Sequence, residues 1–354
     1  MKTMNKLYIA DIRSMNINGK LIGHYYPVAK NYYDIFKETY QVLIAGGPVY
    51  SSKFTNLYPL TYDTYKNKSV IINKLKVLKN MIDLFQHKNN EDIIIIQSSA
   101  TATALIGIAL LKHSQCKVFT IQYNKECITS PIKKFIYKLA SHKISGIICP
   151  SEEIGQAYKR PYCVVPDYIY TGNNSKEEKT FNERTYDFSI LGLLCKDKGV
   201  VETAQKFKNT QYKVLIAGMP QNEEIRQAIL EVCKDCNNIE LKLEYLSDDE
   251  YDKNIKESRY CILNYSGAYS EHSSGVVFDI LFRGTPVIGR RCKYLSFIEE
   301  YHIGTLFQSI NEFDPEIILK QDTYYIFTQN IKTYFDVHKN YISKLKNFLD
   351  NTAQ

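Results

Sequence analysis

Residues Tyr265–Gly289 read YSGAYSEHSSGVVFDILFRGTPVIG, and this segment is the most informative part of the chain about its fold. A polar loop carrying Glu271 leads into a turn of small residues, Ser273–Gly275, which opens a predicted helix with Asp279 one turn inside. A Gly-Thr-Pro-Val-Ile segment then returns the chain to a strand. Small residues at a helix start leave backbone N–H groups free, and the helix dipole adds partial positive charge there. The stretch therefore predicts a helix start that binds an anion such as a diphosphate.

The order and spacing of these residues resemble the nucleotide-binding half of GT-B glycosyltransferases, in particular the large retaining family numbered four. That family carries two Glu residues separated by seven positions. Here Glu271 and Asp279 are separated by seven, and the second acid is the shorter one. The resemblance implies that Glu271 binds the transferred sugar, that Asp279 binds the ribose hydroxyls, and that Ser273, Ser274 and Gly275 bind the diphosphate. The alternative is an ordinary βαβ crossover with a capped helix.

The turn after an earlier strand of the same half, LGLLCKDKG, resembles the Gly-Arg-Leu…Lys-Gly segment of the family. Lys198 matches the lysine that neutralises the donor diphosphate, which makes Lys198 and Glu271 the predicted catalytic residues. Leu193 stands where the family has an arginine, so one cation of the pair is missing. Three basic residues could replace it: Lys196, Arg290 and Arg291. The alternative for Lys198 is an ordinary surface lysine at a helix start.

Two further segments resemble the nucleotide pocket of the family. Gly218 follows a strand whose terminal glycine lets the backbone approach the nucleotide, and the backbone near Tyr245 and Leu246 would read the base. Fixed N–H dipoles and Lys198 would offset the charge that builds on the leaving phosphate. The sequence has no Asp-x-Asp pair, so we expect a metal-independent reaction with no cofactor. The donor is expected to be UDP- or GDP-linked, and the resemblance implies retention of anomeric configuration.

The first half of the chain carries the residues expected on the acceptor side. The segment after its first strand resembles the Gly-rich loop of the family, in which Gly19 and Gly23 fit and His24 opens the next helix. His24 could bind phosphate or acceptor, or it could cap and pack the helix. Many family members have a histidine after the fourth strand. This chain has Gln122 and Tyr123 there, and each can hydrogen-bond a hydroxyl.

A chain of 354 residues predicts two domains. Apolar strand-like runs alternate with helical stretches, which predicts an α/β fold with a parallel sheet in each half. The GT-B resemblance implies two Rossmann-like domains facing a central cleft. The predicted boundaries are 1–166 for the acceptor-side domain, 167–185 for a linker, 186–325 for the nucleotide-sugar domain and 326–354 for a C-terminal helix packing back on the first domain. The ten predicted strands are Leu7–Ala10, Gln41–Ala45, Ile93–Ile96, Lys117–Ile121, Gly146–Cys149, Phe188–Leu191, Lys213–Ala217, Glu240–Leu243, Tyr260–Leu263 and Pro286–Ile288.

Charge is distributed unevenly along the chain. Residues 1–165 contain 22 Lys and Arg against 10 Asp and Glu, a balance of +12, and the remainder contains 23 against 28, a balance of −5. A basic first half fits an anionic membrane or an acidic acceptor, and a solvated lysine-rich surface is the alternative. The uncharged run Ile93–Leu111 contains polar residues that indicate a buried strand and a helix rather than a membrane span. Nine scattered Cys and no signal-peptide pattern favour the cytoplasm, with a possible site at the inner face of the plasma membrane.

These expectations combine into one leading function. The chain is predicted to be a hexosyltransferase-class glycosyltransferase that moves a sugar from a nucleotide-sugar donor to a hydroxyl of a glycan or lipid-linked acceptor. The setting would be bacterial polysaccharide or glycoconjugate synthesis, with no nucleic-acid partner. One alternative is a non-catalytic nucleotide-sugar-binding protein. The other is an inverting enzyme or an epimerase of the GT-B fold, in which Asp11, His24 or Glu126 would act as the base.

Overall fold

The computed structural model shows two compact units. The first unit comprises Met1–Thr171 together with His338–Gln354, and the second comprises Gly172–Val337. The described residues are 5–17, 20–21, 25–65, 68–86, 88–97, 101–110, 116–166, 168–169, 179–270 and 275–353.

The first unit alternates strands and helices in chain order. Its elements are β1 (Lys6–Ala10), β2 (Met15–Ile17), β3 (Lys20–Leu21), α1 (Tyr25–Phe36), β4 (Gln41–Gly46), β5 (Leu57–Pro59), β6 (Thr64–Tyr65), α2 (Val70–Phe85), β7 (Ile93–Ile96), α3 (Ala102–Leu110), β8 (Lys117–Ile121), α4 (Glu126–Thr129), α5 (Pro131–Ala140), β9 (Gly146–Cys149), α6 (Glu152–Ala157) and β10 (Tyr162–Val164). Seven of these strands form one sheet in the order β10-β9-β8-β7-β1-β4-β5, and every neighbouring pair is parallel. A smaller sheet joins β2 to β3 and β6.

Both faces of the large sheet are buried, which explains why its inner strands are continuous apolar runs. Alternate isoleucines of β7 pack into two separate cores, one with α2 and α3 and the other with α1. The structure confirms three predicted strands with unchanged bounds: Ile93–Ile96, Lys117–Ile121 and Gly146–Cys149. The apolar run from Ile93 is a buried strand followed by a helix, as predicted.

The second unit repeats the same alternation. Its elements are β11 (Tyr186–Leu191), α7 (Val200–Phe207), β12 (Val214–Ala217), α8 (Glu223–Cys233), β13 (Ile239–Lys242), α9 (Asp248–Lys256), β14 (Ser258–Leu263), α10 (Gly275–Phe282), β15 (Val287–Arg290), α11 (Phe297–Glu300), β16 (Gly304–Phe307), α12 (Pro315–Ile318) and α13 (Gln321–Asn351). Six parallel strands form its sheet in the order β13-β12-β11-β14-β15-β16. Each of the five strands predicted here lies within two residues of its observed bounds.

The last helix contributes to both units. The part of α13 before His338 belongs to the second unit, where Tyr334 stacks on Phe297, with ring centroids 5.9 Å apart. The part from His338 onward belongs to the first unit. There Leu345 is buried in the same core as α1, and Phe348 packs edge-on against Phe119 at 5.3 Å. No helix in the described part of the chain is both long enough and apolar enough to cross a membrane.

Candidate functional site

The candidate site begins at the carboxyl edge of the second-unit sheet, where β11 and β14 pair. The sheet continues from β11 through β12 and β13 on one side, and from β14 through β15 and β16 on the other. The strand order therefore reverses between β11 and β14. In open parallel sheets such a reversal leaves a crevice at the carboxyl ends of the strands, and ligands bind there. The loop after β11 carries Lys198, and the loop after β14 leads towards Glu271.

Two glycines bring the loops after β11 and β12 into contact. Gly192 has a φ of +91° and Gly218 has a φ of +145°, which are values that favour glycine. A β-carbon at Gly218 would overlap the carbonyl oxygen of Gly192. The Gly192 N–H donates to the carbonyl of Ala217 at 3.0 Å. The contact that requires glycine at 218 is therefore with the neighbouring loop, and the approach of its backbone to a nucleotide stays a prediction.

Lys198 lies in a turn of 3-10 helix and is only 5% exposed. Its Nζ lies 3.7 Å from the place where a β-carbon of Gly192 would stand, and 6.0 Å from the centre of the Tyr265 ring. Burial lowers the pKa of Lys198 from 10.5 to about 8, and the Cys195 thiol opposes this in part. This placement excludes the surface-lysine alternative. A buried ammonium has lost hydration, so an anion beside it recovers part of that free energy.

Asn264, the first residue after β14, is a further residue of the site that the sequence did not predict. Its side chain is buried, and Nδ2 lies 3.4 Å from the carbonyl oxygen of Gly199 and 3.3 Å from Oγ1 of Thr203. The N–H of Ser266 donates to the carbonyl of Asp197 at 2.7 Å. These contacts join the loop after β14 to the turn that carries the buried lysine. Nothing in the sequence pattern distinguishes this asparagine from any other polar residue at a strand end.

The helix α10 begins beside the same loop. Apart from its chain neighbours and the backbone of its own helical turn, no described heavy atom lies within 4 Å of the place where a β-carbon of Gly275 would stand. Cγ2 of Val276, the second residue of α10, lies 3.9 Å from the place where a β-carbon of Gly192 would stand. The start of α10, with its partial positive charge, and the ammonium of Lys198 therefore both lie close to Gly192. This arrangement suits a ligand with more than one negative charge.

Asp279 lies one turn into α10. Four positions separate it from Gly275, so the two residues share a helical face. Its Oδ1 is 3.8 Å from Nη1 of Arg283, and Arg283 also donates from Nε to Asp252 at 2.6 Å. The Asp279 side chain is about one-third exposed and therefore accessible to a ligand. Its predicted contact with ribose hydroxyls stays a prediction.

Apolar side chains are exposed at the carboxyl ends of three neighbouring strands. Leu193 follows β11, Met219 follows β12 and Tyr245 follows β13. All three are exposed, while Leu246 is half-buried. Exposed apolar and aromatic surface at a strand edge suits a planar nucleobase. Tyr245 and Leu246 were predicted to act through their backbone, and the apolar surface was not predicted.

The three basic residues proposed to replace the missing arginine differ in their surroundings. Arg291 donates from both terminal nitrogens to Glu299. Lys196 is exposed, and Arg290 is half-buried at the end of β15, the strand beside β14. Because Arg291 is already paired, Lys196 and Arg290 are the stronger candidates.

Six predicted site residues lie outside the described residues: Gly19, Gly23, His24, Glu271, Ser273 and Ser274. The roles assigned to them stay predictions. Within the described ranges, no group of three or more His, Cys, Asp and Glu is placed to hold a metal ion.

In the first unit, Gln122 and Tyr123 follow β8 as predicted. Gln122 is fully buried, accepts a hydrogen bond from the Tyr158 hydroxyl at 3.3 Å and donates to Oγ1 of Thr120 at 3.4 Å. Tyr123 is half-buried. Gln122 therefore holds the strand end together, and of the two residues Tyr123 is the more accessible to a ligand.

Two buried polar residues lie at the carboxyl edge of the first-unit sheet, where β1 and β7 pair. Asp11 accepts hydrogen bonds from the Tyr50 hydroxyl at 2.9 Å and from the N–H of Arg13 at 3.1 Å. Burial raises the pKa of Asp11 above its ordinary value. Gln97 directly follows β7, and its buried side-chain amide has no hydrogen-bond partner in the described part of the chain.

Comparison with solved structures shows that the chain has a known fold. The chain is similar over 99% of its length to all of a UDP-forming α,α-trehalose-phosphate synthase from Burkholderia xenovorans, with a TM-score of 0.66 at 11% identity. It is similar over 98% of its length to 99% of the E. coli trehalose-6-phosphate structure bound with UDP-2-fluoro glucose, with a TM-score of 0.68 at 8% identity. AviGT4, a glycosyltransferase involved in avilamycin A biosynthesis, matches over 98% of both chains, with a TM-score of 0.60 at 14% identity.

These likenesses confirm the GT-B fold expected from the sequence, the α/β architecture with a parallel sheet in each of two domains. At such low identities they show the fold alone. No protein-family model matches the chain, and no curated protein matches it by sequence.

Proposed function

We propose that this protein is a glycosyltransferase that transfers a hexose from a nucleotide-sugar donor to a hydroxyl of a glycan or lipid-linked acceptor. The observation that carries the proposal is the buried Lys198, which lies beside Gly192 and the start of α10 at the switch point of the second sheet. Similar structures support it, because one is named as UDP-forming and another is bound with UDP-2-fluoro glucose. We place the reaction in the cytoplasm, at the inner face of a bacterial plasma membrane, in polysaccharide or glycoconjugate synthesis.

The chemistry follows from where negative charge develops. When the sugar leaves its donor, charge builds on the departing phosphate, and preorganised positive groups stabilise it by a few kcal/mol. Lys198 would supply a full charge, and the N–H groups at the start of α10 would supply partial charges. Asp279 would bind the ribose, and Glu271 would orient the transferred sugar. We propose retention of configuration, with a phosphate oxygen of the leaving group accepting the acceptor proton, and no metal ion in this charge stabilisation.

A thermal-shift titration with UDP, GDP, ADP, TDP and CMP tests the donor site. We expect one nucleoside diphosphate to raise the melting temperature of the wild type and to have no effect on Lys198→Ala. The matched control is Lys234→Ala, because Lys234 is exposed at the end of α8 and should respond as the wild type does. A response that survives in Lys198→Ala would contradict the assigned site. Binding without turnover of any nucleotide sugar would support a non-catalytic binding protein.

One observation favours the inverting enzyme as the second candidate. Asp11 is buried at the carboxyl end of β1 with a raised pKa, and a general base acts best when its pKa is close to the working pH. The other two candidate bases are less suitable or lie outside the described residues. Glu126 is exposed and pairs with Lys133, and His24 is not among the described residues. NMR of the first-formed anomer distinguishes the retaining enzyme from the inverting one. Retention of configuration would rule out Asp11 as an inverting base.

A further inference from the structure

The outer surface of the first unit carries exposed apolar side chains at the start of α2. A helix packed on a sheet normally buries its apolar stripe and exposes polar residues. In the first turns of α2, however, Val70, Ile71, Ile72 and Leu75 are all exposed, and Ile71 is 71% exposed. The buried side chains of α2 begin only at Val77. The start of this helix therefore presents apolar surface that the core of the first unit does not use.

The helix α5 presents a second apolar stripe to solvent. Ile132, Phe135 and Leu139 follow the i, i+3, i+7 spacing of one helical face, and all three are exposed, Ile132 by 74% and Phe135 by 65%. The buried positions of the same helix are Tyr137 and Ala140, which face the core. The helix α5 is therefore apolar on two faces, and only one of them packs against the protein.

These two stripes lie on the same side of the first unit. Both α2 and α5 contact α3, and all three helices pack on the same core. Each helix leads into a strand of one parallel sheet, so both run antiparallel to the strands and begin near the carboxyl edge. We name this region the α2–α5 surface and define it by its exposed apolar residues: Val70, Ile71, Ile72, Leu75, Ile132, Phe135 and Leu139.

Basic residues surround the α2–α5 surface. Lys74 lies between the exposed residues of α2, and Lys134 and Lys138 lie between those of α5. All three lysines are exposed, and among the described residues none of them forms an ion pair. The sequence has no acid from residue 64 to residue 82 and none from residue 127 to residue 151. Asp83 and Glu126, just outside these ranges, pair with Lys79 and Lys133 of the two helices, and the remaining lysines leave a net positive charge on this region.

We propose that the α2–α5 surface docks on an anionic lipid bilayer. Its apolar side chains would enter the interfacial region, and Lys74, Lys134 and Lys138 would contact the acidic headgroups. Charge argues against a second copy of the chain as the occupant, because a symmetric contact would bring like-charged lysines together. The setting of this inference, a lipid-linked acceptor, rests on the proposed function, but the lipid contact itself can be measured without any substrate.

Vesicle co-sedimentation of the full chain tests this proposal. The vesicles are phosphatidylcholine alone, or phosphatidylcholine with roughly one-third phosphatidylglycerol, at low and at high salt. We expect binding to the anionic vesicles that weakens with salt. The double substitution Ile132→Ser/Phe135→Ser should lower the partition coefficient by about tenfold or more. Lys134→Glu/Lys138→Glu should remove the preference for anionic lipid.

A matched control removes equally exposed apolar residues from the second unit. Ile317→Ser/Ile326→Ser changes residues that are 63% and 54% exposed, and it should leave vesicle binding unchanged. Absence of wild-type binding to anionic vesicles would overturn the proposal, and so would equal losses in the control and in the α5 variant. A wild-type dimer that the α5 variant converts to a monomer would assign the surface to a second copy instead. The nucleotide-dependent thermal shift of the same samples reports separately on the proposed function, so the two failures can be distinguished.

Discussion

Replacing Lys198 by methionine should stabilise the ligand-free protein while abolishing nucleotide binding. The Lys198 side chain is buried, and loss of hydration lowers its pKa from 10.5 to about 8. Each unit of pKa corresponds to about 1.4 kcal/mol, so keeping this lysine charged at pH 7 costs the folded state up to about 3 kcal/mol. Methionine has a similar length and no charge. Its substitution should therefore raise the melting temperature of the second unit by several degrees.

The stability difference should also depend on pH with a defined sign. The pKa of Lys198 in the folded state is below that in the unfolded state, so between about pH 8 and 10.5 the unfolded state binds more protons. The free-energy cost of burying the charged lysine is complete below about pH 8 and disappears as the pH rises towards 10.5. The advantage of Lys198→Met over the wild type should therefore shrink across this range. Thermal melts followed by circular dichroism at several pH values measure it.

A control and a clear failure complete this test. Lys234→Met removes an exposed lysine and should change the unfolding free energy by no more than about 0.5 kcal/mol. If Lys198→Met proves less stable than the wild type at pH 7, the inferred cost of burial is wrong. If it keeps the nucleotide response of the wild type, Lys198 is not in the donor site.

Four other substitutions test the geometry of the site. Gly218→Ala should destabilise the second unit by about 3 kcal/mol or more, because its β-carbon would overlap Gly192. Gly275→Ala should fold normally, and circular dichroism melts compare the two variants. Asn264→Ala should lower the free energy of unfolding by about 1–3 kcal/mol and lower kcat, because it frees the loop after β14. Urea titration measures the stability, and initial rates measure kcat. A wild-type kcat would count against a positioning role for Asn264. Leu193→Arg restores the cation of the family pattern at an exposed position. It should lower the Kd for a nucleoside diphosphate about fivefold at low salt, as measured by calorimetry. An unchanged Kd would mean that another residue already supplies the second positive charge.

The sequence predicted the inner strands well because their burial on both faces leaves a direct pattern. Ile93–Ile96 and Gly146–Cys149 are short apolar runs bounded by polar residues, and the structure has both with the predicted bounds. The edge strands Leu57–Pro59, Tyr162–Val164 and Gly304–Phe307 were missed, because they are short and carry no comparable apolar run. The strands of the small sheet were missed for a further reason: Met15 pairs with Thr64, far along the chain.

The candidate site was only partly predictable. Spacing and the family resemblance located Lys198 and the start of α10, since both follow strands at one edge of the sheet. The burial of Lys198 and the lowering of its pKa depend on residues from separate loops, which spacing does not reveal. Asn264 is hidden for the same reason. Its partners Gly199 and Thr203 lie more than sixty positions earlier, so no local pattern marks it.

Glycosyltransferase activity at the Lys198 site is tested by measuring release of the nucleoside diphosphate from a panel of UDP- and GDP-sugars, with and without simple glycan acceptors. The proposed function predicts release from donors of one base, accelerated by an acceptor, and loss of that release in Lys198→Met while the variant remains folded. Tight nucleotide binding with no release from any donor would contradict transferase activity. Release that persists undiminished in Lys198→Met would contradict the site.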